Sequence, residues 1–268
     1  MLHGNLYSAL GVSIGLAFAI LPAAPLAAQE QHPKNVVTNI VLVHGAFADG
    51  SSWSKVIPLL QKLDYHVVAV QNPMTSLEDE VAFTKRIIAL QDGPLILVAH
   101  SWGGAVITQA GDDPKVAGLV YITAYAPEVG ESSNDAGGPY GWTSGQKQIR
   151  LTADKFATLT TEGMLDYVTE GLPMEERLLA LATQGQSYGP MFDEKLTVAA
   201  WKTKPNWALI STQDQMLAPA MEAMMAKRMG AVTVSIDSCH MVIQQAPAEV
   251  AAIIDQAARN ALNNHPNE

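Results

Sequence analysis

Apolar and polar positions alternate along this chain in two distinct rhythms. NIVLVHGAF (39–47), HVVAVQNP (66–73), PLILVAHS (94–101) and VAGLVYITAY (116–125) contain short apolar runs that predict buried strands. Between them the period lengthens. SSWSKVIPLLQKL (51–63) sets Trp53, Val56, Ile57, Leu60 and Leu63 at helical spacing, and SLEDEVAFTKRIIALQ (76–91) opens on a serine cap with Glu78, Asp79 and Glu80 in the first turn. WGGAVITQAG (102–111) begins a third helix. The alternation then stops. Residues 127–203 hold loops rich in Gly, Pro and Ser, such as GESSNDAGGPYGWTSG (130–145), together with amphipathic helical stretches. It resumes with WALISTQ (207–213), a helix over 218–229, VTVSIDS (232–238) and a last helix, APAEVAAIIDQAARNAL (246–262).

Strands of this kind, separated by helices, predict an α/β fold with a mostly parallel sheet and helices on both faces. The core is expected in 36–126 and 204–263, with 127–203 as an inserted helical cap. No internal repeat of fixed period interrupts this reading.

The first 33 residues carry one acidic residue, Glu30, and no Lys or Arg before position 34. SALGVSIGLAFAIL (8–21) is too short for a comfortable bilayer span and precedes small residues, so residues 1–28 are expected to be a cleaved signal peptide. The missing basic residues and Leu26, three positions before the cut, depart from the usual pattern. The mature chain would be periplasmic or secreted, with no stable membrane span.

The 268 residues are 48% hydrophobic, enough for one large domain. A net charge of −10 without a Lys/Arg cluster argues against nucleic acid as a partner. The single cysteine, Cys239, cannot form an intramolecular disulfide and reads as a small buried residue. No HxxxH or CxxC spacing points to a metal, and no GxGxxG follows the first strand, so no cofactor is expected.

The chemistry gathers where LILVAHSWGG (95–104) ends. Ser101 stands between a buried strand and a helix, with Ala99 two before and Gly103 two after, as a strained nucleophile elbow requires. A nucleophilic serine needs a base and a group to orient it. His240 follows the last strand in SIDSCHMVIQQAP, and Asp214 ends WALISTQ, between the other two in chain order. Glu128, just after VYITAYAP, is the alternative acid. Trp102 N–H is expected to supply one oxyanion donor. The loop HGAFADGSSW (44–53) would supply the second from Ala46, with Phe47 as runner-up, and His44 would orient that loop.

VLVHGAFADGSSW, LVAHSWGG, VYITAYAPEVGES, STQDQMLAP and DSCHMVIQQAPAEVAAII together resemble the α/β-hydrolase superfamily over about residues 39–262. More narrowly they resemble its branch of plant methyl-ester esterases, hydroxynitrile lyases and small bacterial esterases such as pyrethroid hydrolases. The resemblance implies the α/β-hydrolase fold and a catalytic set at Ser101, Asp214 and His240. Ala99 replaces the usual first glycine of the elbow. The lyases resemble a pattern with Thr at the place of Gly45 and Lys at that of Met241, so the sequence sides with hydrolysis.

The expectation is a serine esterase cleaving small to medium apolar esters through an acyl-enzyme, with a small-molecule ester as partner and a homodimer as its assembly. Substrate contacts are assigned to Phe47, Trp142, Trp201 and Met241. Tyr140, Tyr188, Met164, Met174 and Met191 are further candidates for the cap's pocket. Alternatives are a lyase or cofactor-independent oxygenase on the same fold, a lactonase or amidase, and a non-catalytic binding protein.

Overall fold

The computed structural model describes residues 36–263, together with Met1; the leader expected over 1–28 lies outside the described residues apart from Met1. The framework is a six-stranded sheet. In chain order its strands are β1 (Asn39–Val43), β2 (His66–Ala69), β3 (Leu95–Ser101) and β4 (Val116–Ala124). After the insertion described below come two more strands, so the later ones are numbered on from it. The insertion contributes β5 (Ile149–Leu151), β6 (Phe156–Leu159) and β7 (Ser187–Tyr188), and the main sheet is completed by β8 (Asn206–Ser211) and β9 (Val232–Ile236). The strands of the main sheet lie in the order β2-β1-β3-β4-β8-β9 and all pair in parallel.

Period-two alternation divides the strands between two cores. Ile40, Leu42, Ile96, Val98, Val120 and Ile122 face one side, where Val250, Ile253, Ile254 and Ala257 cover them. Val41, Val43, Leu95, Leu97, Ala99, Leu119 and Tyr121 face the other, beneath Ala105, Val106 and Ile107. Strands β1 and β3 are buried along their whole length, which is why each carries an apolar run of four or five residues, IVLV and LILVA.

The helices are α1 (Ile57–Gln61), α2 (Leu77–Ala89), α3 (Gly103–Ala110), α4 (Ser133–Gly137), α5 (Met174–Thr183), α6 (Pro219–Met229), α7 (Val242–Gln245) and α8 (Pro247–Asn260). Helix α2 starts where the sequence says it should: Ser76 Oγ accepts the Asp79 N–H at 3.0 Å. The helix expected over 51–63 is instead a 3-10 turn (Gly50–Trp53) followed by the short α1. Pro58 explains the break, because it lacks an N–H and fits only within a first helical turn.

The segment between β4 and β8 differs from the helical cap expected. Alongside α4 and α5 it carries a small antiparallel sheet, β5-β6-β7. Its strands are two to four residues long, too short for a period to register. Helix α5 has no fully buried residue and leaves Leu178 and Leu179 exposed. Among the described residues no helix is long and apolar enough to cross a membrane.

Candidate active site

Ser101 is the last residue of β3 and has φ +55°, a left-handed conformation that costs a non-glycine residue about 1–2 kcal/mol. Close backbone approach fixes the turn. A Cβ on Gly103 would lie 2.7 Å from the His44 carbonyl oxygen and 2.8 Å from that of Val43; one on Gly104 would overlap the Tyr125 carbonyl. On the opposite side, a Cβ on Gly45 would come within 2.7 Å of Ser101 Cβ. Glycine is therefore a steric requirement on both loops that flank the serine.

His240 reaches Ser101 from the loop after β9. Its Nε2 lies 3.0 Å from Ser101 Oγ and its Nδ1 2.7 Å from Asp214 Oδ2, so the three side chains form one hydrogen-bonded line. Asp214 Oδ1 accepts the backbone N–H groups of Met216 (2.6 Å) and Leu217 (2.9 Å), which leaves Oδ2 aimed at the imidazole. Ionised Asp214 can only accept, so Nδ1 carries a proton and Nε2 is left as the acceptor for the serine hydroxyl. This tautomer is the one a general base needs.

Several supporting residues carry no motif of their own. His100 is buried beneath His240, the two rings 4.8 Å apart, and its Nε2–H donates to the His240 carbonyl at 2.9 Å. Burial, then the neighbouring His240, lowers its pKa to about 3, so it stays neutral and acts as a fixed donor. A chain of buried hydroxyls, Thr123–Ser211–Ser238, joins the ends of β4 and β8 to the histidine loop at 2.7 and 2.8 Å. Glu222 of α6 is buried beside Asp214, and its carboxyl is pushed well above the ordinary range by burial and then by the Asp214 charge. Burial and the Asp214 charge thus both favour the neutral form of the Glu222 carboxyl.

The loop from which an oxyanion donor is expected follows β1. His44 accepts the Asn72 N–H at Nε2 (3.1 Å) and hydrogen-bonds the Gly45 carbonyl through Nδ1 (2.9 Å), so Nδ1 carries its proton. Burial lowers its pKa and keeps it neutral. Phe47 has φ +63°, and its N–H donates to Ser187 Oγ at 3.1 Å. That bond occupies the runner-up donor. The Ala46 and Trp102 N–H groups form no hydrogen bond among the described residues, and both residues border the cavity beside Ser101.

The cavity has a volume of about 1160 Å³ and opens over Ser101 and His240. Phe47, Leu159, Met164, Met216, Leu217 and Met241 give it an apolar wall, and Trp142 stands exposed at its edge. Two expected residues lie elsewhere. Trp201 is buried in the core under α3, its Nε1–H bonded to the Pro127 carbonyl at 3.0 Å, and does not line the cavity. Glu128 is paired with Lys202 at 2.7 Å on the surface and has no contact with His240. Of the other cap candidates, Met164 lines the cavity, whereas Tyr140, Tyr188, Met174 and Met191 do not. Cys239 is buried, with its thiol raised to about 11 by burial, and carries no thiolate at neutral pH. Among the described residues no cluster of three or more His, Cys, Asp or Glu is arranged to hold a metal ion.

A six-stranded parallel sheet with a strained serine at the end of its third strand, a histidine after its last and an acid after its fifth defines a class. The chain belongs to the alpha/beta hydrolase family, whose sequence signature matches residues 40–253. It is 37% identical over 101 residues to a pyrethroid hydrolase of Sphingobium wenxiniae, a stretch covering 33% of this chain and 36% of that protein. It is 34% identical over 113 residues to Methylesterase 7 of Arabidopsis thaliana, covering 36% and 43%. The matched stretches span less than half the length of these curated relatives. The fold is similar to the crystal structure of polyneuridine aldehyde esterase, with a TM-score of 0.72 and 18% identity, covering 81% of this chain and 98% of that one.

Proposed function

We propose that the protein is a serine hydrolase of carboxylic esters. The observation that carries this reading is the Ser101–His240–Asp214 line opening into an apolar cavity. Ser101 Oγ attacks the ester carbonyl while His240 Nε2 takes its proton. Asp214 holds the imidazole and balances its charge. The N–H groups of Trp102 and Ala46 receive the oxyanion, and the imidazolium then protonates the leaving alcohol. Water repeats these steps on the acyl-enzyme. The relatives named hydrolase and methylesterase support this chemistry.

The cavity exceeds what a small ester needs, which favours medium or larger apolar substrates. Met241 follows His240 and lines the cavity where a lyase would require an ammonium group. Lys55, at the rim, is engaged by Glu176 at 2.5 Å. The test is a p-nitrophenyl ester chain-length panel on the wild type and Ser101→Ala. Hydrolysis in the first and a loss of 10³-fold or more in the second is expected. Near-normal turnover by Ser101→Ala, or dioxygen uptake without ester cleavage, would reject the reading.

Export is proposed on the leader's composition. N-terminal sequencing of the protein from a periplasmic or culture fraction tests it, with a start near Gln29 expected.

A further inference from the structure

Glu80 has no part in the chemistry above, yet its carboxyl is fully buried in α2, where an ionisable group is costly to keep. Its Oε2 accepts the indole Nε1–H of Trp102 at 3.3 Å. The Asn72 carboxamide and the Met74 N–H also face this carboxyl. Asn72 donates its own backbone N–H to His44, whose other ring nitrogen holds Gly45 in the loop that carries Ala46. Glu80 is thus bonded directly to Trp102, whereas the link toward Ala46 runs through the Asn72 backbone and His44. Trp102 is buried in the core and meets Phe192 edge-on at 5.1 Å, and Glu80 is the hydrogen-bond partner of its indole N–H.

Around the carboxyl, Glu80 Oε1, both polar atoms of the Asn72 side chain and Thr84 Oγ1 are buried without a well-formed hydrogen bond among the described residues. A packed core would be more stable with apolar groups at these positions. The cluster adjoins the indole of Trp102, the residue that carries one of the backbone donors the hydrolytic reading uses. We propose that Glu80 is a positioning residue for the oxyanion hole, fastening the Trp102 donor through its indole N–H. This rests on the proposed ester hydrolysis. The donors must point to where charge develops in the transition state, so loosening them affects turnover more than substrate binding.

The experiment compares wild type, Glu80→Gln, Glu80→Leu and Trp102→Phe on a p-nitrophenyl ester, with active sites counted by fluorophosphonate titration and folding checked by circular dichroism. Gln keeps an acceptor for the indole and a polar group for Asn72, so Glu80→Gln should stay within about threefold of wild type in kcat. Glu80→Leu, and Trp102→Phe, which keeps the buried ring but loses its N–H, should each lower kcat per titrated site by about tenfold or more with KM within twofold. A merely structural role would reduce the number of titratable sites and leave turnover per site unchanged. Folded Glu80→Leu with wild-type kcat per site overturns the proposal; should that variant fail to fold, wild-type kcat per site in Trp102→Phe overturns it. Absence of both labelling and hydrolysis in the wild type would reject the hydrolase reading and this proposal with it, an outcome distinct from an active enzyme that is indifferent to Glu80.

Discussion

Ser101 is held at φ +55° by its surroundings. Glycine occupies that region without a Cβ clash, although it loses more chain entropy on folding. Ser101→Gly is therefore expected to be about 0.5–1 kcal/mol more stable than Ser101→Ala in urea denaturation, while both are inactive. Asp214 and Glu222 should separate just as clearly. Asp214→Asn removes the charge that balances the imidazolium and offers an amide that can invert the imidazole tautomer, so kcat should fall about 10³–10⁴-fold. Burial and the Asp214 charge favour the neutral form of Glu222, so Glu222→Gln should keep kcat within a few-fold. A comparable loss in both variants would mean that the buried pair shares its charge. Residue identities at this scale were readable in the chain, because the elbow, its glycines and the serine are neighbours within ten residues. The support from His100 was not readable, since its partner is a backbone carbonyl 140 positions away.

Among the elements, α2 shows how a helix can be specified by its caps and still surprise on its buried face. Ser76 and the acids of the first turn were sufficient to place its start. The sequence places these acids in the first turn without saying which is buried, and Glu80 is the one that points inward. Its pKa is raised from 4.5 to about 7, chiefly by burial. The folded state thus binds a proton that the unfolded chain has already released, and this contribution to stability is complete below pH 4.5 and lost as pH rises to about 7. Glu80→Gln cannot ionise. Relative to wild type it should gain on the order of 2–3 kcal/mol between pH 4.5 and pH 8, measured by urea midpoints at both pH values. A wild-type-minus-variant difference that does not change with pH would contradict the burial of an ionisable group here. The cap's small sheet was invisible for a different reason: its strands are held by pairing to one another, with Phe156 opposite Tyr188 and Ile149 opposite Leu159, and each is too short to carry a pattern alone.

At the scale of the whole molecule, the cavity is where the sheet edge, the oxyanion loop and the cap meet. Ala180 on α5 lines it and is small. Ala180→Trp is expected to fill part of the volume, raising KM for long acyl chains about tenfold or more while short-chain esters keep their kcat/KM; an unchanged chain-length profile would remove α5 from the specificity wall. Trp201 illustrates what could not be seen from the sequence at this level. An aromatic residue in the cap sequence looks the same whether it turns toward a ligand or toward the core, and here the Pro127 carbonyl and the adjoining Arg228 hold it inward.

The sequence by itself determined the parallel α/β framework, the sharp turn that presents Ser101, and the order in which serine, acid and histidine follow along the chain. These are consequences of local sterics and of hydrophobic period, which act over a few residues. Only the tertiary structure decided that His240 turns its Nε2 to Ser101, that Asp214 rather than Glu128 meets its Nδ1, and that a carboxyl from α2 lies against the Trp102 indole. Those outcomes depend on directional contacts between segments more than twenty residues apart, and nothing in a local pattern encodes which of two nearby carboxylates will be carried within hydrogen-bond reach.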